Sequence, residues 1–247
     1  MSESLFYLAM GGLDASIQNS TAAANNLANR ATIGYKAEQP AFQAEPLYGD
    51  GAADQVAVSG GQSRTDFSQG PIEETGRNLD VAISGPGWIA VQAPDGSIAL
   101  TRNGALSVSP LGILQTSDGR PVLGRGMAPI ALPPLQKVTI GQDGTISGVL
   151  KGQTPDQVAT LNRIALTNPP TAALQRRGDG MFQDTAGTPQ QSTAVRLQSG
   201  ALEGSNTEPM SLMLSMIENT RTFQMQTEMM RNVLNTDQGQ GSVLTLS

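Results

Sequence analysis

The sequence predicts an α+β protein. Long heptad helices at the N and C termini pack together in an assembly, and a central antiparallel β-rich domain and an extended connector lie between them. Two observations carry this expectation. Both ends repeat apolar residues at alternating spacings of four and three, the seam of a helix that packs against other helices. The middle alternates apolar and polar residues in short runs cut by turn dipeptides, the pattern of antiparallel hairpins. The predicted division is an N-terminal helix over 1–34, a connector over 35–78, the β-rich domain over 79–186, a return segment over 187–206, and a C-terminal helix and tail over 207–247.

The first helix is expected over residues 4–32, about 45 Å at 1.5 Å per residue. Its seam is Phe6, Met10, Leu13, Ile17, Ser20, Ala24 and Leu27, with Gly34 as a stop signal. Asp14 and Arg30 are its only charges. A solvated helix usually carries lysine and glutamate on its outer face. Small uncharged flanks point to packing against neighbouring chains, and the plainer alternative is a core helix within one chain.

Residues 35–78 carry Pro40, Pro46, Pro71 and scattered glycines without a sustained period, hence a connector with some strand pairing around Arg64–Ser68. In the β region Leu79, Val81 and Ile83 alternate, as do Ile89 and Val91, Ile98 and Leu100, and Val138 and Ile140. Asp95-Gly96, Asn103-Gly104, Asp118-Gly119, Asp143-Gly144 and Asp179-Gly180 are turn dipeptides that tolerate positive φ. Trp88, the single tryptophan, is expected in the core.

The second helix is expected over 207–236. Its seam is Leu212, Met216, Asn219, Phe223, Gln226, Met230 and Val233. Thr207-Glu208-Pro209 supplies its start, and Gly239 and Gly241 are expected to end it. Six of the ten methionines fall in it. Methionine packs adaptably, which suits a helix face that meets non-equivalent neighbours.

Composition narrows the chemistry. The 247 residues include no histidine and no cysteine. That excludes a Ser-His-Asp triad, a thiol nucleophile, a His/Cys zinc site and a disulfide scaffold. The net charge is −6 with only three lysines, which argues against nucleic-acid binding. No apolar run approaches a membrane span, and the start Met1-Ser2-Glu3-Ser4 has no basic region of the kind that opens a cleaved signal peptide. Asp80, Asp95, Glu73 and Glu74 are the best candidates for an acid–base pair, as in a carboxylate-dependent glycan hydrolase. Ordinary turn and surface roles suit them better, with Asp80 bonding backbone or an arginine such as Arg102. Arg176-Arg177 beside Asp179 is expected to be solvated.

Asn25-Asn26-Leu27-Ala28-Asn29 followed by Thr32-Ile33-Gly34-Tyr35-Lys36 resembles the signature of flagellar rod and hook proteins. Gln69-Gly70-Pro71, Leu79-Asp80-Val81-Ala82-Ile83, Gly87-Trp88-Ile89-Ala90-Val91, Thr101-Arg102-Asn103-Gly104 and Ser199-Gly200-Ala201-Leu202-Glu203-Gly204-Ser205-Asn206 follow in that family's order. The resemblance spans essentially the whole chain. Trp88, the segment Ile217–Gln226 with Phe223, and the tail Val243–Ser247 are similar to the proximal rod branch more than to the distal one.

The resemblance implies a structural subunit with no catalysis, cofactor or metal. It implies export through the flagellar type III apparatus and helical assembly into the rod of the basal body, across the periplasm. The partners implied are further copies of this chain, other proximal rod proteins and the distal rod protein. The assembly interface would comprise Phe6, Met10, Leu13, Ile17, Ala24, Asn25, Asn26, Leu27, Asn29, Leu212, Met216, Phe223, Met230 and Val233, with the asparagines as buried groups that fix helix register. Gln224, Gln226, Thr227 and Asn232 are expected to line a channel.

Overall fold

The computed structural model describes residues 2–46, 56–60, 63–154 and 157–244, with side chains described outside 2–9, 43–46, 56–60 and 233–244. The fold is α+β, with a β-rich central region and, among the described residues, two α-helices. The chain divides into two compact units. One comprises residues 1–30, 37–66 and 207–247, and the other residues 31–36 and 67–206.

The first unit holds α1 (Ser2–Ala28) and α2 (Pro209–Leu244) packed side by side. Ser16 Oγ donates to the Asn219 carbonyl at 3.0 Å, and the Gln226 side chain lies over Gly12. Moving back along α1 thus moves forward along α2, so the helices run antiparallel. α1 ends at Ala28 rather than at residue 32. The Arg30 N–H reaches the Leu27 carbonyl, a tighter i−3 bond than the helix uses, and the chain then turns through Gly34 at φ +69°.

α2 begins with Pro209 in its first turn, where no intrahelical N–H is needed. It does not stop at Gly239 and Gly241 but continues to Leu244. Glycine costs a helix about 1 kcal/mol against alanine without breaking its hydrogen-bond ladder.

The stretch expected to be an extended connector with some strand pairing around Arg64–Ser68 carries two strand pairs among its described residues. Phe42–Pro46 and Val56–Gly60 form an antiparallel hairpin, and Glu38–Gln39 pairs with Arg64–Thr65.

The second unit is built on a five-stranded antiparallel sheet in the order Leu166–Thr167, Trp88–Gln92, Ile98–Thr101, Phe182–Asp184, Leu174–Arg176. Strand alternation serves two cores here rather than a core and solvent. Ile89 and Val91 join Val81, Ile83, Leu106, Leu114, Ile130 and Ile146 on one side. Trp88 and Ala90 join Leu100, Leu123 and Phe182 on the other. Trp88 and Phe182 lie 4.7 Å apart between ring centroids, with Phe67 at 5.9 Å and 5.5 Å from them. A three-stranded meander, Leu135–Ile140, Thr145–Leu150 and Ala159–Arg163, adds Ile140 and Ile146 to the first core.

The Asp-Gly turns work as their composition suggests. Asp95, Asp143 and Asp179 each accept from the backbone N–H two residues on, and the following glycines have positive φ. Asn103-Gly104 differs. Gly104 has no positive φ; a Cβ there would stand 1.7 Å from the Val81 carbonyl oxygen. Close backbone approach requires that glycine, while Asn103 folds its own loop by accepting from the Ala105 N–H at 3.1 Å.

Candidate assembly interface

The two faces of α1 divide by size. Gly12, Ser16, Asn19, Ala23 and Asn26 form a row at helical heptad spacing, and Ser16, Ala23 and Asn26 on it are buried. Gly12 and Ser16 of this row meet α2, at Gln226 and Asn219, and Asn26 meets Glu38. The predicted apolar seam lies one residue, about 100°, further round the helix. On it Met10 is 49% exposed, Ile17 53% exposed and Ala24 exposed, with Leu13 and Leu27 half-buried. Small residues let two backbones approach, so the chain satisfies its small face internally and leaves its larger apolar side chains outside.

Asn26 is buried and makes a reciprocal pair with the backbone of Glu38: Nδ2 donates to the Glu38 carbonyl at 2.7 Å, and Oδ1 accepts from the Glu38 N–H at 2.8 Å. Within the chain, Asn26 alone of the three asparagines is buried. Asn25 is exposed, and half-buried Asn29 donates back to the Asn25 carbonyl. The 100° step per residue separates Asn25 from the packed face.

On α2, Leu212, Met216, Asn219, Gln226 and Met230 form the half-buried row. Phe223, on the same heptad, is exposed, as are Met210, Met213, Leu214, Ile217, Met225 and Met229. The side chains of Phe6 and Val233 lie outside those described. Gln224 and Asn232 are exposed, and half-buried Thr227 donates to the Phe223 carbonyl. Gln226 is turned to Gly12, with its Oε1 buried and unbonded among the described residues. Gln226 lies about 200° round the helix from Gln224, so the four polar residues do not share one face.

The β-rich unit contains a buried charge cluster that sequence reasoning missed. Lys36 Nζ donates to Glu203 Oε1 at 2.6 Å and to the Ser68 carbonyl at 2.6 Å. Arg102 donates to Glu203 Oε2 at 2.8 Å and to the Gly85 carbonyl at 2.9 Å, and its guanidinium lies 5.3 Å from the Trp88 ring centre. The Gly70 N–H also donates to Glu203 Oε1. Gly34 closes the cluster, since a Cβ there would stand 2.3 Å from the Arg102 carbonyl carbon. Residues 32–36, 69–71, 101–104 and 199–206, scattered along the chain as separate motifs, thus meet in one place. The available signal was Lys36 itself, one of only three lysines in the chain.

Arg102 is therefore not the partner of Asp80. Asp80 accepts from Arg77 Nε at 2.9 Å and from the Thr75 hydroxyl at 2.7 Å, and Arg77 is three residues away. Burial opposes ionisation of Asp80, but the Arg77 and Thr75 hydrogen bonds outweigh it and hold its carboxyl below the ordinary range. The Ser97 hydroxyl and Arg177 hold Asp95 well below it too. Both carboxylates are engaged and ionised at neutral pH, so neither is a general acid. Glu73 and Glu74 are exposed on the short strand Ile72–Glu74.

The arginine pair is not solvated. Arg177 bonds Asp95 at 2.9 Å and Asp179 at 3.4 Å. Arg176 donates to the Lys36 carbonyl and lies 5.1 Å and 5.0 Å from the ring centres of Tyr35 and Phe182. The sheet pairing that places Arg176 opposite Phe182 brings its guanidinium over these rings. No helix among the described residues is long and apolar enough to cross a membrane.

Two family descriptions match the chain: the flagellar hook protein FlgE/F/G D1 domain over residues 82–148, and the flagellar basal body rod FlgEFG protein C-terminal region over residues 198–238. The flagellar basal-body rod protein FlgF of Salmonella typhimurium is 38% identical over 242 residues, covering 95% of this chain and 94% of the relative. FlgF of Escherichia coli is 37% identical, covering 92% of each. FlgG of Buchnera aphidicola subsp. Schizaphis graminum is 32% identical, covering 88% of this chain and 91% of the relative.

Proposed function

The chain belongs to the flagellar basal-body rod proteins, on the FlgF side of that family, and from that premise we propose that it builds the proximal rod by helical packing of α1 and α2 against neighbouring subunits. It is a structural subunit of the basal body and not an enzyme. Its partners are other rod proteins.

The observation that carries the proposal is the apolar seam of α1, with Met10 and Ile17 about half exposed beside a small-residue face on which Ser16, Ala23 and Asn26 are buried. The exposed Met213, Ile217 and Phe223 of α2 offer matching surface. A repeated contact between unlike patches that does not close into a ring generates a helical tube. Such a tube transmits torque and encloses a channel, with the exposed amides of Gln224 and Asn232 suited to an uncharged lining. The neighbours include further copies, other proximal rod proteins and the distal rod protein. Delivery by the flagellar type III apparatus suits a cysteine-free chain, which threads unfolded without cross-links.

Deletion of residues 1–30 or of 208–247 tests this. Expressed in a flagellated host lacking its own FlgF-type subunit, either truncated chain should be absent from purified basal bodies while its β-rich unit stays folded. Recovery of truncated chains in intact rods would overturn the proposal.

A further inference from the structure

With ten methionines and no cysteine, thioether sulfur is the only side-chain sulfur this chain can oxidise. Its exposure is uneven. Met210, Met213, Met225 and Met229 are exposed on α2, the first at 73% and the third at 62%, while α1 exposes only Met10 among its described methionines, at 49%. Met216 and Met230 lie half-buried on the row that faces α1. Met181 in the β-rich unit is 8% exposed, and Met127 packs partly buried against the Trp88 cluster.

We propose that Met210, Met213, Met225 and Met229 form a site of reversible oxidation in the unassembled subunit, with hydrogen peroxide as the oxidant, and that oxidation there blocks assembly. The second half rests on the assembly role proposed for α2. The thioether sulfur attacks one peroxide oxygen. An S–O bond forms as the O–O bond breaks, sulfur loses two electrons, and the departing hydroxide takes up the remaining proton as water. The product is methionine sulfoxide, polar where the thioether was apolar. On an exposed helix face that change costs the free chain little. In an interface it buries a strong acceptor without a donor. Packing of α2 removes the sulfurs from solvent, so oxidation and assembly compete. A methionine sulfoxide reductase drawing on a thiol reductant would restore the apolar face.

Two measurements test this. Peptide mapping of the peroxide-treated full-length chain should show the four exposed methionines of α2, and the 49% exposed Met10 of α1 with them, oxidising about tenfold faster than Met181, with Met216 and Met230 between. Uniform rates across all of them would overturn the site. In a host lacking its own FlgF-type subunit, the combined variant Met210→Gln, Met213→Gln, Met225→Gln and Met229→Gln mimics the oxidised face. It should enter basal bodies about tenfold less than the parent chain, because its amides cannot pack as thioethers do. The corresponding four leucine substitutions should enter normally and keep doing so under peroxide stress.

Circular dichroism of both variants controls for loss of α2 itself. Normal entry of the helical glutamine variant, beside the expected peroxide map, would remove α2 as an assembly surface and with it the block. A uniform map beside impaired entry would leave the assembly role standing and overturn the oxidation site.

Discussion

Lys36 and Glu203 stand 167 positions apart in the sequence, yet their side chains meet at 2.6 Å with neither reachable by solvent. Glu203 also holds Arg102, so one carboxylate compensates two buried cations. Removing its charge takes this counter-charge from both, leaving Lys36 its bond to the Ser68 carbonyl and Arg102 its bond to the Gly85 carbonyl. Glu203→Gln should destabilise the β-rich unit by about 3–5 kcal/mol, the usual cost of breaking a buried pair from one side. Urea unfolding followed by the fluorescence of Trp88 measures it, since that residue is the only tryptophan and sits beside Arg102. A change under about 1 kcal/mol would mean that water reaches the cluster and replaces the lost contacts.

Three glycine substitutions separate steric from conformational demand. Gly96→Ala places a methyl in open space at φ +81°, so only backbone strain is felt, about 1 kcal/mol. Gly104→Ala has ordinary φ but drives its Cβ into the Val81 carbonyl oxygen. Gly34→Ala meets both obstacles, against the Arg102 backbone. The expected order of destabilisation is Gly34 and Gly104 well above Gly96, with the first two costing about 3 kcal/mol or more by displacing packed backbone. Urea midpoints of the three variants give the order directly.

Acid should loosen the β-rich unit from a defined side. Asp80, Asp95 and Asp143 all have folded-state pKa values below their ordinary ones. Their contribution is present above the unfolded carboxylate pKa of about 3.9 and is lost as pH falls through the lower folded values. With no histidine in the chain, the urea midpoint should be flat from about pH 8 to 5 and fall below about pH 4. Asp80→Asn should lower the plateau and shallow the acid limb, because Asp80 is the buried member of the three. An unaltered acid limb in that variant would assign the loss to other groups.

The exposed seam of α1 predicts a substitution that is silent in the free chain and severe in the rod. Ile17→Asp lies at an exposed position, so it should change stability by no more than about 0.5 kcal/mol. In the assembly it would bury an unpaired carboxylate and keep the chain out of basal bodies. Recovery of the variant in purified basal bodies at parental levels would remove Ile17 from the interface.

What the sequence disclosed follows the range over which the information acts. The hairpins at Asp95-Gly96 and Asp143-Gly144 and the helical character of both ends are written in neighbouring residues and were legible. So was Trp88 as a core residue. Which face of α1 meets α2 was not legible: it turns on Gly12 and Ser16, whose small size reads as weak apolar character rather than as close contact. The charge cluster was illegible because Arg102 and Glu203 lie 101 positions apart and no periodicity relates them. The same limit misled the pairing of Asp80, where Arg77 at i−3 was already within reach and Arg102 was claimed from a distance. The stacking of Arg176 depends on a strand pairing that brings Phe182 opposite it, which a local charge pattern does not reveal.

The distance in sequence between Lys36 and Glu203 also sets an order of events. In a chain delivered end-first through a narrow passage, the acid and its two cations cannot meet until the residues between them have all come through. Strand Ile72–Glu74 likewise waits for Ala201–Glu203, and Val81–Ser84 for Arg196–Ser199. The last part of the β-rich unit to emerge, whichever end leads, is therefore the part that locks it. A half-delivered chain holds at least two strands without partners and either the cations or the acid without its counter-charge. The folded unit, once closed, fastens the first-delivered segment to the last. If the chain is delivered as proposed above, its connectivity would oppose closure inside the passage until the last segment had entered.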